Sequence, residues 1–157
     1  MREITKISIK AEKVSISYIL QENQDKDTHE VNFYSYDIPE PDFVRTLQSL
    51  DADVISILEL ENEYKKNLKV VGVSIKNEEA GLGCCIQAIK ILNFNDAPFC
   101  INTPYRPPKR SEHMNTDRCI NIKLNTKLEK LQHLAGRYLN GEREQIELFK
   151  KEKNNEE

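Results

Sequence analysis

The segment Tyr105-Arg106-Pro107-Pro108-Lys109-Arg110 joins three cations to an aromatic ring, with Arg118 close behind. Such a set can grip a phosphate backbone while Tyr105 stacks on a base. The same residues also read as a solvated linker stiffened by prolines. Pro104-x-x-Pro107 matches a polyproline ligand, but so short a match carries little weight. Cys84, Cys85, Cys100 and Cys119, with His113, are zinc ligands by type. No pair among them has the usual ligand spacing, so no metal is expected. Cys84 and Cys100 sit beside apolar residues, the ordinary setting of a buried free thiol. A cysteine nucleophile needs a paired histidine. His29 falls in an expected loop and His133 on a helix flank, and neither is tied to a cysteine by sequence. Asp37, Glu40, Asp42, Asp51 and Asp53 open helices or turns, where acids favour the positive helix end. There is no glycine-rich phosphate loop and no Gly-x-Ser-x-Gly elbow. The residues therefore indicate no reaction and no cofactor, and the chain reads as non-enzymatic.

A different chemistry stands near the C-terminus. Residues 142–157 are almost all polar, yet Ile146, Leu148 and Phe149 cluster within four positions. Glu142-Arg143-Glu144 precedes the cluster and Lys150-Lys151-Glu152 comes after it. An isolated apolar cluster on a charged tail needs burial, and a groove on a partner supplies it. Leu148 and Phe149 would be the anchors, and Gln145 would offer its amide to the pocket rim. Burying two such side chains contributes about 3–5 kcal/mol before ordering costs, and predicts binding on the order of micromolar for one copy. The competing reading is structural. Leu139, Ile146 and Phe149 are spaced by seven and three, so a helix running on through Gly141 would carry all three into the core, at about 1 kcal/mol for the glycine.

Gln145-Ile146-Glu147-Leu148-Phe149 resembles the pentapeptide by which many bacterial replication and repair proteins bind the sliding clamp. That motif runs Gln-Leu-x-Leu-Phe, often with Ser or Asp third. Gln145, Leu148 and Phe149 match, Ile146 is a conservative departure, and Glu147 is an acidic third residue. The resemblance covers five residues and implies a partner, the bacterial sliding clamp; it implies nothing about the fold. The chain as a whole also resembles small phage and prophage proteins, in the Gly141-Glu142-Arg143 stretch with an apolar-Phe end close behind. Phages often encode proteins that recruit or block host replication machinery, which is consistent with a clamp ligand.

The elements that must carry these residues emerge from periodicity. Residues 3–10 and 13–20 alternate, the second with Val14, Ile16, Tyr18 and Leu20 on one face and Ser15 and Ser17 on the other. Period-two alternation is the half-buried strand pattern. A loop is expected over Gln21–His29 and a third strand over Glu30–Tyr36, with Val31, Phe33 and Ser35 on one face. The period then changes. Pro41 and Asp42 suit a helix start, Phe43, Val44, Leu47 and Leu50 continue it, and Asp51-Ala52-Asp53 restarts a second short helix. Strands return over Leu68–Ile75, rich in β-branched residues, and over Phe99–Asn102, with turns over Asn77–Gly83 and Asn93–Asp96; in Cys84–Leu92 the residues Cys85, Ala88, Ile89 and Leu92 suit a helix and Cys84, Ile86 and Ala88 a strand, and the preceding Gly81 and Gly83 favour the strand. Pro104–Ser111, with three prolines in five residues, cannot be regular structure. A last helix is expected from about Thr126 to Leu139, with Asn125 as its N-cap and Asn140-Gly141 as its stop. The expected fold is α+β: an antiparallel sheet packed on two or three helices over residues 1–140, with residues 141–157 as a mobile polar tail.

Composition bounds the rest. The chain has 157 residues, 38% apolar and 31% charged, with net charge -3. That length suits one domain able to bury roughly 70% of its unfolded surface without disulfides. Mild acidity argues against a generic nucleic-acid or membrane binder and leaves room for a local basic patch. No apolar run approaches the ~18 residues of a membrane span, and the N-terminus lacks the apolar region of a signal peptide. Unpaired cysteine spacing fits a reducing, cytoplasmic setting.

Overall fold

Ile7, Ile16, Val73 and Ile86 face one another across four adjacent strands, and the rest of the fold is built on that row. In the computed structural model, which describes residues 2–21, 28–92 and 97–143, the strands are β1 (Arg2–Lys10), β2 (Lys13–Gln21), β3 (Thr28–Ser35), β4 (Leu68–Glu78), β5 (Gly81–Lys90) and β6 (Phe99–Asn102). They form one antiparallel sheet in the order β3-β2-β1-β4-β5-β6. Helices α1 (Pro41–Gln48) and α2 (Asp51–Ile57) lie between β3 and β4 in the chain, and α3 (Ile122–Leu139) comes last. The fold is α+β, as the periodicity predicts. All three helices send buried side chains into a single core with the strands: Phe43 and Leu47 from α1, Val54 and Ile55 from α2, Leu124, Leu128, Leu131 and Tyr138 from α3. No helix among the described residues is long and apolar enough to cross a membrane.

Two bulges correct the simple alternation. In β1 the register slips between Ile4 and Lys6, so Ile4 and Ile7, three residues apart, both reach the core. An extra residue in one strand shifts the pleat by one and preserves the buried face. In β4 the slip falls between Val70 and Gly72, and Val70 and Val73 share the core face for the same reason. The Val70 bulge leaves backbone groups to be paired, and the Gln48 side chain of α1 does so at both ends. Its Nε2 donates to Val70 O at 2.7 Å and its Oε1 accepts from Val70 N at 3.1 Å. Helix α1 is thus tied to the sheet by polar contacts as well as by Phe43 and Leu47.

Several boundaries differ from expectation. Strand β3 begins at Thr28, which puts His29 in the strand and not in the loop. Strands β4 and β5 run on to Glu78 and from Gly81, so the broad turn expected over 77–83 shrinks to Glu79-Ala80. Lys76 and Asn77 are exposed, and a strand that projects past its core loses the apolar signal that identifies it. Helix α3 starts at Ile122, capped by Asn121, whose Oδ1 accepts from Leu124 N at 2.7 Å; Asn125 lies inside the helix. The early turn was hidden because Ile122 is 86% exposed and breaks the apolar period. The end of α3 agrees with the sequence. Gly141 takes φ +96°, its N–H reaches Tyr138 O, and Glu142 N reaches Arg137 O, both at 3.1 Å. This is the double closure of a glycine-ended helix.

Candidate functional site

The basic loop is held along the free edge of β5. Thr103 exchanges hydrogen bonds with Ile86, and Arg106 with Cys84, at 2.8–3.0 Å, so residues 103–106 extend the ladder. Pro104 and Pro107 sit next to these paired residues and have no N–H to leave unsatisfied, which suits them to an edge. The buried Thr103 hydroxyl accepts from Ile86 N. Tyr105 then folds over Gly83. A Cβ on Gly83 would come within 2.0 Å of the Tyr105 oxygen, so glycine is what leaves room for the ring.

Glu78 organises the remainder of the loop. Arg110 grips it with two parallel bonds, Nε to Oε1 at 2.8 Å and Nη2 to Oε2 at 2.9 Å, and the Tyr105 hydroxyl donates to Oε2. The hydrogen bonds from Arg110, and next from Tyr105, hold the Glu78 carboxyl down at about 2. Burial, and then the Glu78 carboxylate, pushes the Tyr105 hydroxyl up to about 12. Arg106 donates to the carbonyl of Asp117, binding the loop to the turn before α3. Of the four residues expected to grip phosphate, the structure engages Tyr105, Arg106 and Arg110 with the protein's own acceptors. Lys109 is exposed, beside a surface depression lined by Gly81, Pro108 and Asn125. The organiser, Glu78, went unmarked in the sequence because it fell in an expected turn. The available signal was the arginine and tyrosine downstream, which call for an acid.

The cysteines are separated by the sheet. Cys84 points into the core, and burial pushes its thiol up to about 12. Cys85, on the opposite face, is also raised by burial. Cys119 is buried and its Sγ donates to Asn115 O at 3.1 Å, while Cys100 lies exposed on β6. Raised thiols are poor nucleophiles and poor metal ligands at neutral pH. Among the described residues no three His, Cys, Asp or Glu side chains converge as a metal site would need.

Gln145, Ile146, Glu147, Leu148 and Phe149 lie outside the described residues. Their point of departure is described. Arg143 stacks its guanidinium 3.4 Å from the centre of the Tyr138 ring, donates to Tyr138 O, and brings Nε to 3.4 Å from Asp37 Oδ2. The chain therefore leaves from the C-terminal end of α3, beside the residues just after β3. Comparison with protein-family models, with curated proteins and with solved structures returned no match.

Proposed function

We propose that this is a non-enzymatic accessory protein, of the kind phages encode, that binds the bacterial sliding clamp through Gln145–Phe149 and so modulates DNA replication or repair. The observation that carries the proposal is the closure of α3. The helix fills its share of the core with Leu124, Leu128, Leu131, Leu134, Ala135 and Tyr138, then stops at Gly141. The competing reading needs α3 to run on through Gly141, and the closure there supports reading the pentapeptide as a partner ligand. The motif begins two residues beyond Arg143, which stacks on Tyr138 and stands near Asp37. In this reading Leu148 and Phe149 enter the clamp groove, Gln145 bonds to its rim, and the α+β domain is the cargo that the tether brings to the clamp.

The test is calorimetric titration of the full chain into a purified bacterial sliding clamp, beside the Leu148→Ala/Phe149→Ala double variant. The expected result is binding on the order of micromolar for the natural chain, none detectable for the variant, and identical melting curves. Absence of binding by the natural chain, or a variant that unfolds, would return these residues to the core and end the proposal.

A further inference from the structure

The helices occupy one face of the sheet; the other is covered by none of them among the described residues. On that face the strand registers collect lysines. Lys10 and Lys13 are direct partners across β1 and β2, Lys6 stands on the same face of β1 opposite Ser17, and Ser8 pairs with Gly72. Because β4 runs antiparallel to β1, the exposed Lys69 lies toward the Lys10 end. Lys10 and Lys13 thus face each other, and Lys69 stands at the same end on β4, past the Ser8–Gly72 pair where the β1–β4 ladder ends and Gln48 takes up Val70, in a chain whose net charge is -3. Among the described residues, the carboxylates on this face lie elsewhere. Glu3 and Glu30 flank Ile19 at the opposite end, and Glu78 is committed to Arg110 and Tyr105. Glu12 sits in the turn beyond the ladder.

Like charges placed directly opposite in a ladder cost stability, and an anion lying across Lys10, Lys13 and Lys69 would relieve that cost. Between and beside the lysines stand the half-buried Ser15, Ser17 and Ser74, around a buried Ser8 and Gly72. Tyr34 lies at its edge, 58% exposed, its ring 4.4 Å from Lys13 Nζ. We infer that this uncovered face, through Lys10, Lys13, Lys69 and Lys6 with Tyr34 as a stacking surface, binds single-stranded nucleic acid. A single strand can lay its phosphates along the lysines and turn a base onto the tyrosine. A lipid surface would call for exposed apolar side chains among the lysines; Lys69 pairs with the half-buried Ile89, and Lys6 and Lys10 are flanked by Ser15 and Ser17. The face shares no residue with the tail motif or with the 105–110 loop.

The experiment is fluorescence anisotropy of labelled 20-nucleotide oligo-dT and oligo-rU with the full chain, at 50 and 200 mM salt. Three phosphate contacts to a single strand predict that binding weakens about 20-fold across that range. Lys10→Glu turns a repulsive cross-strand pair into an attractive one, so this variant should melt no lower than the natural protein and yet bind at least tenfold more weakly. Lys10→Glu/Lys69→Glu should abolish binding, and Lys123→Glu, in the first turn of α3, should change nothing. No binding at 50 mM salt, unchanged affinity in Lys10→Glu, or equal affinity for duplex DNA would overturn the inference. So would binding to phosphatidylserine vesicles that the oligonucleotides fail to compete away.

Discussion

Glu78 is a carboxylate that two neighbours keep ionised, and its consequence is a pH dependence. A carboxyl whose pKa falls on folding stabilises the folded state where it is charged. Here the value falls from 4.5 to about 2, so the contribution is complete above about 4.5 and is lost as pH drops from there through about 2. Glu78→Gln cannot ionise. It should lower the melting temperature at pH 7, and the gap to the natural protein should narrow steadily between pH 4.5 and 2.5. A gap that stays constant over that range, in melts monitored by circular dichroism, would show that the charge of Glu78 does not anchor the loop. The same residue explains why the basic segment is less basic than it looks. Composition counts Arg110 as a free cation, while the fold gives it a bidentate partner 32 positions upstream.

At the scale of elements, what distinguishes one asparagine from another is where the helix begins. Asn121 bonds to Leu124 N, whereas Asn125, one turn inside, donates weakly to Glu129 at 3.3 Å. Asn121→Ala should cost about 1 kcal/mol in urea denaturation, and Asn125→Ala no more than about 0.5 kcal/mol. The reverse order would move the start of α3 back to where periodicity alone puts it. The strands and helices were largely legible because their buried residues repeat at two or near 3.6: Val14 and Ile16 on β2, Leu124, Leu128 and Leu131 on α3. What periodicity misses is structure outside the core. The ends of β4 and β5, the first turn of α3 and the ladder over 103–106 are hydrogen-bonded segments with exposed or irregular side chains, and hydrogen bonding leaves no hydrophobic period.

For the whole molecule, Tyr138 is where the layers meet. Its ring packs edge-on against Phe33 of β3 at 6.2 Å and Phe43 of α1 at 6.1 Å, and its hydroxyl donates to Asp37 O at 2.7 Å. It is 1% exposed. Tyr138→Phe removes one hydrogen bond and leaves a carbonyl to be rehydrated, a loss of about 1 kcal/mol. Tyr138→Ala opens a cavity between β3, α1 and α3 and should cost about 3–5 kcal/mol. Equal, small losses in the two variants would mean that α3 does not close the core. Lys127 reinforces the same docking, with Nζ at 2.9 Å from both Asp53 Oδ2 and Ser49 O.

Fold class, most of the strands and helices, the stop of the last helix and the apolar pentapeptide beyond it can all be read from the order of residues. Each of these is local: a period, a cap, or a cluster within a few positions. The use made of the charges cannot be read that way and belongs to the folded chain. Folding commits Arg110 and Tyr105 to Glu78, puts Cys84 and Cys85 on opposite faces, and carries Lys10, Lys13 and Lys69 to one end of the sheet, on the face that no described helix covers. The physical reason is that charges act through space and the chain order does not record distance. Lys10 and Lys69 are 59 positions apart, and the strand order β2-β1-β4 is what carries them to the same end of the sheet.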